Sequence, residues 1–113
     1  MGEVVEVGSL EAWTTYMAEA NSNKNLAVIY FSAKWSAPSR SISPVFDDLA
    51  KNHIDVTFLK VVVEVEDNMS IAEEFGVEAM PTFLFMKEGK VVDHLVGASE
   101  YLLEEKMKQH TAA

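Results

Sequence analysis

Two strand-like runs, one wholly apolar and one β-branched, constrain this chain more than anything else in it. Leu26 to Phe31 reads LAVIYF, and Val56 to Val63 reads VTFLKVVV. A strand with one wet face alternates apolar and polar residues. These runs do not alternate, so both of their faces must be covered. A short β-branched run covered on both sides calls for a sheet sandwiched between helices.

The rest of the chain supplies those helices. Glu3 to Val7 reads as a short strand. Ser9 is placed to cap a helix carrying Leu10, Trp13, Met17 and Ala20. After the polar turn Asn21 to Asn25 and the first apolar run, Val45, Phe46, Leu49 and Ala50 form a helical stripe, with Pro44 as a site for a kink. Glu66, Asp67 and Asn68 supply acidic and capping groups to a helix through Ile71, Ala72 and Phe75, which Gly76 ends. Thr82 to Met86 and Val91 to Val96 read as a hairpin turning at Glu88-Gly89, where glycine accepts a positive φ. Ser99 caps a last helix with Leu102, Leu103 and Met107.

The order β-α-β-α-β-α-β-β-α predicts an α/β fold with a central mixed sheet of about five strands flanked by four helices. The alternating βα units predict parallel strands, and the hairpin adds an antiparallel one. At 113 residues, 49% of them apolar and 24% charged, residues 1–113 read as one domain with a core of its own. Ligands of open α/β sheets bind beyond the carboxyl ends of the strands. That rule points at the segment after Phe31 and at the loop before Thr82.

Composition excludes several functions. The net charge of −9 argues against a phosphate-backbone partner, so no nucleic acid is expected, and against anionic membranes. No stretch of about 18 apolar residues is present to span a bilayer. No basic start runs into an apolar stretch. Gly2 is not followed by the Ser or Thr that myristoylation needs, since position 6 is Glu6. The expected location is cytoplasmic. The cysteine count is zero, so no thiol nucleophile, disulfide or zinc–thiolate site exists. No metal or cofactor is expected. Glu64, Glu66 and Asp67 lack the spacing of a calcium loop and read as a solvated, helix-starting face.

The two loops carry unusual residues. The first reads Phe31-Ser32-Ala33-Lys34-Trp35-Ser36-Ala37-Pro38-Ser39-Arg40, and the second Ala79-Met80-Pro81-Thr82. With Phe58-Leu59-Lys60-Val61, Val77-Glu78-Ala79-Met80-Pro81-Thr82-Phe83, Lys87-Glu88-Gly89-Lys90, Val96-Gly97-Ala98 and the ending His110-Thr111-Ala112-Ala113, they make the chain resemble the thioredoxins, in particular the plant h-type branch. The resemblance covers nearly the whole chain. It implies a thioredoxin fold, a cis Pro81 facing the Trp35–Ser39 loop, and protein or peptide clients, including disulfide-containing ones. It also implies that Trp35, Ala37, Pro38, Met80, Pro81, Gly97 and Ala98 form the substrate-binding surface, with Val96 beside them.

The departures from the family pattern decide the chemistry. The redox motif of the family is W-C-G-P-C, and here it reads Trp35-Ser36-Ala37-Pro38-Ser39. Ser36 and Ser39 thus occupy the catalytic positions. Disulfide exchange requires a thiolate, and a serine hydroxyl neither ionises in the same range nor forms a stable equivalent of the mixed disulfide. The family places a buried acid where this chain has Tyr30, and h-type members carry Asp where it has Val62. Lys60, left without that acid, reads as a surface or rim charge. Loss of the acid together with the cysteines resembles the atypical single-cysteine, CxxS-type branch. Ser39 is then natural, and Ser36 is either a further natural loss or a Cys-to-Ser replacement.

Plainer readings accompany the sharper ones. Ser36 as a hydrolase nucleophile would need a base, and His53, His94 and His110 stand in no motif near it. Helix capping accounts for Ser36 more simply. Arg40-Ser41-x-Ser43 fits a phosphorylation string and Asn68-Met69-Ser70 a glycosylation string, both of low specificity. Met17, Met80, Met86 and Met107 read as core filling or as neighbours of the loop. Three functions follow: a disulfide-exchange scaffold whose chemistry has been removed; a redox-silent peptide-binding or holdase module using Trp35 and Pro81; and an acidic subunit held to a basic partner. The sequence gives no sign of oligomeric state.

Overall fold

A computed structural model describes residues 2–111. Met1 and the closing Ala112-Ala113 of the resemblance lie outside the described residues. The elements run β1 (Val4–Glu6), α1 (Leu10–Asn21), β2 (Ala27–Ser32), α2 (Ala37–Asn52), β3 (Thr57–Val62), α3 (Asn68–Glu74), β4 (Thr82–Lys87), β5 (Lys90–Val96) and α4 (Glu100–Thr111). The five-stranded sheet has the order β1-β3-β2-β4-β5. Both runs are central strands. Every residue of β2 is buried, as its lack of alternation requires.

The two faces of the sheet carry separate cores. Ile29 and Phe31 of β2 pack with Leu59, Val61, Leu84 and Met86 under α1 and α3, against Trp13, Ile71 and Ala72. Val28 and Tyr30 point the other way, to Ile42, Phe46 and Leu49 of α2 and Leu103 and Met107 of α4. The helical stripes read from the sequence are these contacts, with two exceptions. Leu10 and Leu102 are exposed, because each sits in the first turn of its helix and beyond the edge of its core. The helix of Pro38 and Pro44 is continuous from Ala37 to Asn52 and runs through Pro44. α4 is tied to the edge strand by Asp93, whose carboxylate accepts from Lys106 Nζ at 2.9 Å and from His110 Nε2 at 2.9 Å. Burial pushes that carboxyl up, and the hydrogen bonds from His110 and Lys106 outweigh it and hold it at about 2.

One topological expectation is corrected. β1, β3 and β2 are parallel, as βα alternation predicts. β4 runs antiparallel to β2, however, and β5 antiparallel to β4, so the first strand of the hairpin breaks the parallel pattern as well. A βα connection makes strands parallel only when it returns to the end of the sheet where the previous strand began. The connection from Val62 to Thr82 through α3 instead starts and finishes at the same end, so β4 begins where β2 and β3 finish. Thr82 therefore pairs with Phe31. This reversal places Pro81 beside the loop that follows β2.

Candidate functional site

The loop after β2 is built by caps. Ser36 is the N-cap of α2, and its Oγ accepts the Ser39 amide at 3.2 Å. Ser36 N donates back to Ala33 O at 3.1 Å, and Arg40 N to Ser36 O at 3.1 Å. The serine cap read from the sequence is thus in place, as are those at Ser9 and Ser99, whose hydroxyls accept from Ala12 N and Leu102 N. Ser36 is 4% exposed and Ser39 fully buried, with the Ser39 Oγ lacking a partner among the described residues. Trp35 stands out at 70% exposure, a large cost for an indole that serves only to close a fold.

The second loop meets the first. The Met80–Pro81 peptide is cis. Ser36 Oγ lies 3.4 Å from Met80 O, a long and weak contact that still places the two loops side by side. Gly97 N donates to Pro81 O at 2.9 Å and brings the end of β5 to the same point. Gly97 has φ +110, which glycine adopts without strain. The structure therefore gathers Trp35, Ser36, Ala37, Pro38, Met80, Pro81, Gly97 and Ala98 at one end of the sheet. Their exposure is uneven. Ala37, Pro38, Ala79, Val96 and Ala98 are exposed, Met80 and Gly97 half-buried, and Pro81 buried. A cleft of ≈ 610 Å³ borders this end, walled by Phe75, Val77, Ala79, Leu84, Val91 and Val96. His94 lines that cleft, and His53 and His110 lie elsewhere, around a cleft with Lys24 and Lys87.

Tyr30 lies beneath the loop, fully buried. Its ring stacks on Phe83 at 4.9 Å and meets Phe46 edge-on at 4.9 Å. Its hydroxyl donates to Ser39 O and shares a hydrogen bond with Ser43 Oγ at 2.8 Å. The phenol thus spends its proton on the backbone of α2. Lys60, expected to be a mere rim charge, has its Nζ 5.7 Å from the Tyr30 ring centroid. That is within cation–π range, so the residue replacing the acid also gives Lys60 a partner.

Sequence reasoning missed the roles of three residues. Glu64 was read as part of a solvated acidic face, yet its carboxylate accepts the amides of Lys34 and Trp35. Arg40 Nη1 donates to Lys34 O at 2.6 Å. Asn68, read as a helix-starting group, is fully buried, and its Nδ2 donates to Val7 O and Val62 O. None of these partnerships has a local signature. Among the described residues no group of three or more His, Asp or Glu side chains is placed to hold a metal ion, and no helix is long and apolar enough to cross a membrane.

A sequence model of the family described as Thioredoxin matches residues 5–109. The chain belongs to the thioredoxin family. It is 45% identical to Thioredoxin H5 of Arabidopsis thaliana and 47% identical to Thioredoxin H3 of the same plant. Each match spans 109 residues, 96% of this chain and 91% of the relative. Among solved structures it resembles thioredoxin NaTrxh from Nicotiana alata, with a TM-score of 0.90 at 35% identity, over 96% of this chain and 92% of that one. A poplar wild-type thioredoxin h gives a TM-score of 0.91 at 28% identity, over 98% of each chain. The h-type likeness read from the motifs is thus shown, and so is the thioredoxin fold. With no cysteine in the chain, this thioredoxin is inactive in dithiol chemistry.

Proposed function

We propose that this chain is a redox-silent thioredoxin that binds extended segments of other proteins at the face formed by Trp35, Met80 and Val96. In this reading Ser36 and Ser39 stand at the redox positions of a disulfide-exchange ancestor, and Ser36 acts only as a helix cap. One observation carries it: a 70% exposed indole stands beside a loop whose Met80 amide has no acceptor among the described residues. An extended segment lying along Ala79–Met80 takes that amide as one rung of strand addition. Trp35 then covers one side of it, and the apolar cleft past Ala79 receives a side chain on the other.

The test is light scattering from heat-aggregating citrate synthase. The parent chain is expected to suppress the aggregation, and Trp35→Ala to need about thirty-fold more protein for the same effect, the range of an interface hot spot. Trp35 is so exposed that its removal leaves the fold intact. Equal suppression by the two proteins, or none by the parent, rejects the proposal.

A further inference from the structure

Trp35 forms no aromatic pair among the described residues, and the path of its backbone sets the direction in which the side chain leaves the loop and the rotamers open to it. That path is held from two sides. From the segment after β3, Glu64 Oε1 accepts Lys34 N at 3.0 Å. Its Oε2 accepts the same amide at 2.8 Å and Trp35 N at 3.3 Å. From α2, Arg40 Nη1 grips the Lys34 carbonyl at 2.6 Å. One carboxylate and one guanidinium therefore pin successive peptides of an exposed loop, and hydrogen bonds to ionised groups are about twice as strong as neutral ones. Successive amides aimed at one anion leave the loop few alternatives.

We infer that Glu64 is the positioning residue of the client face: it fixes the Lys34–Trp35 backbone so that the indole is presented beside Met80. This rests on the proposed function for the client and on the geometry alone for the loop. Lys34 is the charged side chain that acts on the carboxylate, Arg40 is engaged with the Lys34 carbonyl, and Glu66 and Asp67 follow Glu64 on its own segment. The Lys34 amide hydrogen bond holds the Glu64 carboxyl below its ordinary value of 4.5, against some burial and with help from the Trp35 amide and the Lys34 charge. A lowered carboxyl stays ionised through neutral pH, and its grip is lost as pH falls through the lowered value.

Three readouts test this on the full chain. In the parent, the Lys34 and Trp35 amide resonances are expected to titrate together below pH 4.5, and in Glu64→Gln to lose that titration. Acrylamide reports Trp35 selectively, since Trp13 is 8% exposed, and its quenching is expected to change in Glu64→Gln. Binding of reduced, carboxamidomethylated ribonuclease A, a basic and permanently unfolded polypeptide, is expected to weaken about five-fold with unchanged melting temperature. Parent-like titration and quenching in Glu64→Gln overturn the inference. So does parent-like binding by Glu64→Gln when Trp35→Ala binds weakly, and that result leaves the proposed function standing. If the parent does not bind, the proposed function and the client half of this inference fall together, and the amide titration alone decides the loop half.

Discussion

Tyr30→Ala is expected to lower the stability of the chain by about 4 kcal/mol, the range for removing a buried aromatic from a packed core. Domains of this kind are stable by only about 5–15 kcal/mol, so most of the margin goes. The ring has no room to be replaced by relaxation, because Phe46 and Phe83 contact it from two directions and α2 closes over it. Tyr30→Phe separates the two parts of the effect. It keeps the stack and removes only the hydroxyl, for about 1 kcal/mol. Without the phenol, Ser43 Oγ, 3.1 Å from Ser39 O, is free to give its one proton to that carbonyl, which limits the loss. Urea unfolding of the three proteins measures both steps. A Tyr30→Ala cost close to that of Tyr30→Phe would show that the ring is not the pillar of this face. Tyr30→Asp, which restores the acid of the family pattern, is expected to behave like the alanine variant, because a carboxyl there meets aromatic walls shaped for a ring.

Ser36→Cys is expected to create a reactive thiol titrating near 7 or below, against an ordinary value of about 8.5. The sulfur replaces an oxygen that already accepts the Ser39 amide at the start of a 16-residue helix. Amide hydrogen bonds and the helix end favour the thiolate. Two effects oppose them. Position 36 is 4% exposed, and Met80 O lies 3.4 Å away, so desolvation and a carbonyl dipole both raise the value. The cap wins because its donor is aimed at the ionising atom. The pH profile of iodoacetamide alkylation reads the result. With Ser39 still in place, the variant forms mixed disulfides and cannot resolve them through an internal thiol. An inflection near 8.5 would mean that the scaffold no longer activates a thiol at this position.

The parts of this structure that were legible in the sequence are those set by local pattern. LAVIYF and VTFLKVVV could only be covered strands. The cap positions Ser9, Ser36 and Ser99 follow from chemistry within three residues. The hairpin turn at Glu88-Gly89 was legible too, although the structure puts both residues at positive φ, and only Gly89 was expected there. The remaining features depend on partners far along the chain. Glu64 acts thirty residues from Lys34, and nothing beside it in sequence distinguishes it from a solvated acid. The antiparallel β4 depends on which end of the sheet the connection through α3 returns to, which hydrophobic periodicity does not set. Lys60 and Tyr30 were each read by subtraction, as residues lacking the family's acid. Their mutual contact is a property of what replaced it.

The most direct test of the central claim is a map of amide perturbations in the ¹⁵N-labelled chain on adding reduced, carboxamidomethylated ribonuclease A. A redox-silent client face predicts shifts concentrated at Trp35, Ala79, Met80, Gly97 and Ala98, and lost in Trp35→Ala. Shifts centred on another surface, or none at saturating polypeptide, would contradict it.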